Sequence, residues 1–558
     1  MNGGVRTVRG AAAVKMPPDA LIADVIVIGS GAAGLATAVT AAHDGCDVLL
    51  FEKAATLGGT TAKSGGVYWV PDNHLMRAHG IDDSRDRALR YMARVSAPTR
   101  YDPEDHRLGM NAWEFGLLAE YCELAPRALA FLDSTGALRS TIEAALRFPD
   151  YHMHLPEQGG VYGRALCPAD AHGQPSGGAE LVNQLAKAAR RSGVRLVTRH
   201  TFTDLLVGER RIQGVQVRDR DTGKNVLARA RAGVVLATGG FTHNAERRAR
   251  HLPARVWGGC AAGTNTGDAL PVLESLGIPL HNMDQAWWDQ VAVEHTTGGS
   301  TETTAGMWVA PGDSSLVVDL TGRRVGNEKT FYHDRAKLHL GDNAPQLLLL
   351  LFDARTAKLF SCEDFAYPLV SPGEPASHIV SGNTWDEVAA EVARRLERLR
   401  EVTGGAQLSD DFTNTLRATV RRYNEIARAG EDLDFGRGRE PIELFFHGPA
   451  RPDGGPDPTM AALTAEGPYH AVLIGLGTLD TKGGPRTSPH AQVLGRHGSA
   501  IDGLYAVGNC AASPSNGGYW AAGATIGPAL AFGYAAGRHL GQRRVALQTS
   551  TRTRRSTT

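Results

Sequence analysis

The stretch Asp24–Glu52, DVIVIGSGAAGLATAVTAAHDGCDVLLFE, limits what this chain can fold into more than any other. An apolar run, Val25–Ile28, enters the turn Gly29-Ser30-Gly31-Ala32-Ala33-Gly34. A helical run of small residues follows from Leu35 to His43. A second apolar run, Val48–Phe51, ends on Glu52. Strand, glycine turn, helix, strand and closing carboxylate, in that order, form a dinucleotide-binding βαβ unit. Gly29 permits the tight turn, Gly31 keeps a Cβ away from a pyrophosphate, and Gly34 lets the helix lie close to the strand. Ser30, Ala32 and Ala33 complete the phosphate-facing turn, where the helix N-terminus offers N–H donors and partial positive charge. Glu52 is placed to accept from ribose hydroxyls. A lone G-x-G-x-x-G says little in a chain with 66 glycines; the flanking strands, helix and acid give it weight.

The next residues select the dinucleotide. Lys53–Gly66 reads KAATLGGTTAKSGG, a second loop rich in glycine and hydroxyls. Its length suits a longer cofactor, with Thr60, Thr61 and Ser64 donating to phosphate or ribityl oxygens, and Lys53, Gly59, Gly65 and Gly66 lining the same loop. FAD is expected in preference to NAD. The run AGVVLATGG, Ala232–Gly240, is a buried strand that brings Ala237, Thr238 and Gly239 close to the adenosine side of such a cofactor. Phe202, Asp268, Gly508, Asn509, Thr525 and Ile526 are assigned to the same cofactor site.

Composition bounds the alternatives. Lys plus Arg number 59 and Asp plus Glu number 59, so nothing points to a nucleic-acid surface. The six cysteines are scattered with no C-x-x-C, which argues against a disulfide frame or a metal site and for a reducing, cytoplasmic setting. No run approaches the roughly 20 apolar residues of a membrane helix.

At 558 residues the chain should hold more than one domain. The fold class expected is α/β: a Rossmann-like FAD-binding domain of the two-dinucleotide-fold type, with an inserted α+β substrate or catalytic domain. The expected boundaries are a disordered leader (1–20), a first FAD-domain part (21–277), the insertion (278–455), a second FAD-domain part (456–542) and a disordered basic tail (543–558). The insertion contains adjacent Trp287 and Trp288, the segment NEKTFYHDR and two charged helices, Trp385–Thr403 and Asp411–Ala429. Before it, the irregular stretch RFPDYHMHLPEQGGVYGR places Tyr151, His152, His154 and Tyr162 in loops of the kind that line sites. No second complete glycine fingerprint occurs, so the reduced flavin requires an external electron acceptor, a quinone or another.

The C-terminal block Gly508–His539, GNCAASPSNGGYWAAGATIGPALAFGYAAGRH, joins a strand end to a glycine-rich loop and a helix. A helix N-terminus aimed at a flavin ring stabilises negative charge on its reduced form. With GSGAAG, GGTTAKSGG, ATGG, NTGDA, NEKTFY, TLDTKGGPRTSPHAQVL, LYAVGN and YWAAGATIGPALAFGYAAG, the chain resembles the fumarate reductase and succinate dehydrogenase flavoprotein superfamily, and within it the 3-ketosteroid Δ1-dehydrogenase family. The resemblance runs from about residue 24 to 540.

The resemblance implies non-covalent FAD and 1,2-desaturation next to a ring ketone: a proton leaves the α-carbon and a hydride leaves the β-carbon for flavin N5. It implies that the Tyr519 hydroxyl and the Gly523 N–H polarise the ketone, that Tyr332 takes the proton and that Tyr151 assists. Two departures bear on the substrate. The family usually has Gly-Pro where this chain has Ala521-Ala522, and Trp287-Trp288 with His152 to His154 do not match a steroid-sized apolar pocket. A smaller cyclic ketone, such as 4-oxocyclohexanecarboxylate or a natural-product intermediate, is the alternative substrate. A fumarate-reductase-like ene reductase and a non-catalytic flavin-binding protein are the alternative functions.

Overall fold

The computed structural model describes residues 20–209, 211–297, 310, 312–360, 376–447 and 454–556. The expected leader, apart from Ala20, lies outside these, as does Cys362. The chain divides into two compact units. The first comprises residues 1–244, 261–286 and 481–558; the second comprises 245–260 and 287–480.

The first unit is built on a sheet whose parallel centre follows from the opening βαβ stretch. Leu21–Ile28 pairs in parallel with Val48–Phe51 on one side and with the long strand Asn225–Leu236 on the other. Arg195–Val197 extends the sheet beyond Val48–Phe51, and Ala500–Ala506 joins the far side of Asn225–Leu236. At its centre Val25–Ile28, Val48–Phe51, Val234–Leu236 and Leu504–Ala506 are buried, as strands covered on both faces must be. An antiparallel pair, His200–Val207 with Ile212–Asp219, attaches to the first half of Asn225–Leu236. The strand expected over 232–240 is thus the end of one longer strand, Asn225–Leu236, that serves both ladders.

The first helix, Ala32–His43, packs against the last, Ile526–Ser556. Glycines spaced four apart on the last helix allow the close approach. A Cβ on Gly533 would lie 2.6 Å from the Ala33 carbonyl oxygen, and one on Gly537 would lie 2.6 Å from Thr40 Cβ. The last helix continues through Ser556, so the expected disordered tail from 543 is helical as far as that residue. Arg544 Nε binds Asp24 Oδ2 at 3.1 Å and Arg543 pairs with Asp502, which ties the basic segment down.

The second unit centres on Tyr469–Thr481, which pairs antiparallel with Leu347–Asp353 and Ile379–Gly382 and parallel with Gly258–Gly259. Leu347, Leu349 and Leu351 face one apolar cluster, while Leu348, Leu350 and Phe352 face another. A continuous leucine run is required because both faces are covered. Two boundaries differ from expectation for the same reason. The return to the first unit comes at Thr481, not at 456, because Tyr469–Asp480 is the second unit's central strand. Residues 245–260 belong to the second unit because Gly258–Gly259 pairs with that strand. Among the described residues no helix is long and apolar enough to cross a membrane.

A side chain at Gly537 must push the two helices of the first unit apart. Gly537→Val is expected to lower the apparent Tm of the holoprotein by several degrees, read by thermal unfolding, at a cost of about 1–3 kcal/mol. An unchanged Tm would show that the helices do not pack this closely.

Candidate active site

The dinucleotide cradle of the first unit is held by its own polar groups. Gly29 has φ +104, and a Cβ there would strike the Ala237 carbonyl, so the turn demands glycine. The Ala237 N–H donates to Ile28 O at 2.8 Å, which sets the ATGG strand end directly beside the turn. Glu52 accepts from Ser30 N–H (3.0 Å) and Oγ–H (2.6 Å) with one oxygen and from Ala54 N–H (2.7 Å) with the other. Its carboxylate is thereby fixed beside the turn with lone pairs remaining for hydroxyls. Thr61 Oγ1 accepts from Ala32 N–H (3.1 Å) at the helix start. Thr60 Oγ1 accepts from Ala262 N–H (3.0 Å) and Asn265 Nδ2 (3.2 Å). Ser64 Oγ donates to Thr61 O (2.8 Å) and accepts from Gly66 N–H (3.1 Å). At Gly59 and Gly65 a Cβ would meet open space.

Other residues assigned to the cofactor also make contacts within the protein. Lys53 Nζ donates to Thr264 O (3.1 Å), Thr266 Oγ1 (2.7 Å) and Asp268 Oδ1 (3.1 Å), so Lys53 and Asp268 hold each other. Phe202 is a member of the apolar core under the sheet. Gly239 sits at φ +71 against Asn265. Gly508 opens a single 3-10 turn through Asn509 to Cys510, anchored by the Val507 N–H on Leu236 O at 2.9 Å.

The loop before the last helix carries Tyr519 and Gly523. Gly523 has φ +87, and a Cβ would come 2.5 Å from Trp69 N, so only glycine fits. Its carbonyl accepts from Trp69 N–H (3.1 Å), while its own N–H donates to no protein group among the described residues. Tyr519 is buried, 4% exposed, with the Tyr151 ring edge-on at 5.3 Å. The backbones are also joined: Tyr151 N–H donates to Trp520 O at 3.1 Å, and Tyr91 Oη donates to the same carbonyl at 2.5 Å. Tyr151 is placed by its neighbour. Asp150 Oδ1 accepts from Trp69 Nε1 (2.8 Å), and Oδ2 accepts from Arg164 (2.9 Å) and Gln158 (3.1 Å). Arg164 also makes a bidentate pair with Asp83 at 2.8 and 2.6 Å. Burial raises the Asp150 carboxyl against the pull of Arg164. For Arg164 burial works the other way, but the bonds to Asp83 and the charge of Asp150 outweigh it and hold the guanidinium charged.

In the second unit, Tyr332 opens the short helix Tyr332–Ala336 and is 3% exposed. The strand Ala286–Ala292 pins this helix. Trp288 N–H donates to His333 Nδ1 (3.0 Å), and Arg335 Nε donates to Gln290 Oε1 (2.7 Å). The chain of donors continues logically. His339 Nδ1–H donates to Pro345 O (2.8 Å), so its Nε2 accepts from Gln290 Nε2 (3.0 Å). Burial lowers His339 to about 4, which keeps that neutral tautomer. Trp287 and Trp288 are fully covered strand residues. His152 and His154 stand at 6.1 Å from each other in the loop after Tyr151.

An FAD-binding domain family model matches residues 24–526. A 3-oxosteroid 1-dehydrogenase of Mycobacterium tuberculosis is 30% identical, covering 93% of this chain and 98% of that one. The chain belongs to the FAD-dependent 3-oxosteroid 1-dehydrogenase family. A 4-oxocyclohexanecarboxylate 2-dehydrogenase of Sinomonas cyclohexanicum is 32% identical over 92% of each chain. The structure of 3-ketosteroid Δ1-dehydrogenase from Sterolibacterium denitrificans, in complex with 1,4-androstadiene-3,17-dione, matches with a TM-score of 0.77 at 24% identity, over 93% of this chain and 99% of that one, and shows the shared fold.

The residues of this family member fit FAD. Thr525 Oγ1, at the start of the last helix, is buried without a hydrogen-bond partner among the described residues. Such an orphan is costly unless a bound group satisfies it. Sequence reasoning did not find Asp83, Tyr91, Asp150, Arg164 or Lys482. Arg164 carried one signal, a lone cation directly before the apolar strand Ala165–Pro168.

Thr525→Val keeps the shape and removes the hydroxyl. It is expected to weaken FAD binding by about 1 kcal/mol, roughly fivefold in dissociation constant, measured by titrating apoprotein with FAD. An unchanged constant would remove Thr525 from the cofactor site. Asp289 gives a pH test. It is fully buried, and desolvation pushes its pKa from 3.8 up to about 7, with Arg335 opposing. Between those values the unfolded chain releases a proton that the folded chain keeps, so stability falls as pH rises through that window and levels off above it. Asp289→Asn abolishes this slope, so the variant's Tm should gain on wild type from about pH 4 to about 7. Parallel profiles would contradict the assignment.

Proposed function

We propose that this chain desaturates a ring ketone in the manner of 3-ketosteroid 1,2-desaturation. One observation carries the reading: Tyr519 is buried on the same loop as an N–H, that of Gly523, which no described protein group uses and which only glycine can present there. The two donors hold the ketone oxygen. As negative charge develops on it their bonds strengthen, and the α-hydrogen becomes acidic. Tyr332, acting as the phenolate, takes that proton and becomes the neutral phenol, and Tyr151, edge-on to Tyr519, assists the clamp. Bound FAD supplies the acceptor for the hydride from the β-carbon at its N5. The product is the conjugated enone, and the electrons pass on to an external acceptor, a quinone or another small carrier. The family membership and the places of Tyr519, Gly523 and Tyr332 in YWAAG and NEKTFY support these roles. A cytoplasmic setting belongs to the same reading, supported by five free cysteines among the described residues.

A smaller cyclic ketone is the second reading of the substrate. The Sinomonas relative, at 32% identity over 92% of each chain, supports it as well as the mycobacterial relative supports a steroid.

Tyr519→Phe and Tyr332→Phe are the test. Each should keep the yellow flavin spectrum. Losing one donor to a developing oxyanion costs about 3 kcal/mol, roughly a hundredfold in flavin reduction rate, and loss of the base should cost at least as much. Anaerobic reduction by the active ketone, followed at the flavin band, measures both. Wild-type rates in both variants would overturn the assigned roles.

A further inference from the structure

The TKGG segment enters no step of the proposed reaction, yet its lysine is among the most deeply placed cations of the first unit. Lys482 is 0% exposed, and its ammonium donates to the Gly518 carbonyl at 2.9 Å and to Ser515 Oγ at 3.1 Å. Its own backbone is fixed on both sides: Lys482 N–H donates to Gln285 O (3.2 Å), and Lys482 O accepts from Ser513 N–H (3.1 Å). Ser513 and Ser515 share a hydroxyl–hydroxyl bond at 2.9 Å. The cation is therefore held in one place by two short loops.

What it holds is the peptide that joins Gly518 to Tyr519. Two residues along, the Trp520 carbonyl is taken by Tyr91 Oη and Tyr151 N–H. The carbonyls of the two residues that neighbour Tyr519, Gly518 and Trp520, are thus fixed, one by a charge and one by a pair of neutral donors. Gly518 has little room to move, since a Cβ there would lie 2.6 Å from Val95 O. A serine or asparagine could anchor one carbonyl at less desolvation cost than an ammonium. The additional property of lysine is a fixed positive potential on the loop where the ketone oxygen gains negative charge.

We infer that Lys482 is a positioning residue of the ketone clamp. It sets the Tyr519 phenol through the Gly518 carbonyl, and its charge favours the enolate-like state over the bound ketone. This rests on the function proposed above. Because the interaction strengthens only as the oxyanion develops, its removal acts on kcat and spares KM.

The test is steady-state and anaerobic single-turnover kinetics of FAD-loaded Lys482→Met, Lys482→Arg and Ser515→Ala. Lys482→Met should lower kcat roughly 10- to 100-fold, hold KM within about threefold and bind FAD as wild type does. Lys482→Arg, which keeps the charge and the donors, should recover part of kcat. Wild-type kcat in Lys482→Met overturns the inference, as does an arginine variant no better than the methionine one. If Lys482→Met does not hold FAD, Ser515→Ala decides: a severalfold loss of kcat at unchanged KM supports the inference, and wild-type kcat overturns it. The two proposals fail separately. Tyr519→Phe with normal turnover removes the clamp itself, whereas a crippled Tyr519→Phe beside a normal Lys482→Met removes only the role of Lys482.

Discussion

The C-terminal site of the first unit depends on one buried cation. Arg164 is 1% exposed and carries two carboxylates, Asp83 and Asp150. A buried ion pair adds little net stability, but removing one partner strands the other and costs about 3–5 kcal/mol. Such a network fixes geometry more than it raises stability, and here it fixes Asp150 and hence Tyr151. From Tyr151 the constraint passes through one backbone bond to Trp520 and through a ring contact to Tyr519. Trp69, Tyr91, Tyr121, Trp520 and Phe532 pack in a chain around the same point. The Arg164 guanidinium lies 5.5 Å from the Trp69 ring and 5.8 Å from the Tyr91 ring, where cation–π attraction offsets part of its lost hydration.

This rigidity is suited to the chemistry. Deprotonating carbon next to a ketone requires donors already aimed at the oxygen before charge appears on it. In the proposed reaction this falls to Gly523, where a Cβ would strike the Trp69 backbone, and to Tyr519, whose neighbours Gly518 and Trp520 have held carbonyls. In the second unit Tyr332 is held in an analogous way: strand donors and acceptors pin His333 and Arg335 on its helix. Phenols in both units are thus positioned by bonds to their sequence neighbours.

The opening βαβ stretch was legible because each of its features is local: alternating element types, glycines at fixed offsets, an acid at a strand end. The YWAAG loop was legible only through family resemblance, and the Gly523 conformation accounts for the glycine in it. The Arg164 network was not legible. Asp83 and Asp150 lie 81 and 14 residues from it, and no periodicity links such partners. Domain boundaries failed where a strand crosses between segments. Tyr469–Thr481 reads as an apolar run from either side, and only its pairing with Leu347–Asp353 assigns most of it to the second unit. The tail read as disorder because Arg, Ser and Thr dominate it; its hold comes from Asp24 and Asp502, which are distant in sequence. The bond between Lys53 and Asp268 was not legible either, because it joins positions 215 residues apart.

In the proposed reaction electrons leave a ring ketone for FAD as two hydrogens leave adjacent carbons. Anaerobic mixing of the FAD-loaded wild-type protein with a panel running from 3-ketosteroids to 4-oxocyclohexanecarboxylate tests it most directly. At least one ketone is expected to bleach the flavin absorption, with one equivalent of conjugated enone formed per flavin reduced. A flavin that stays oxidised with every ketone in the panel would contradict it.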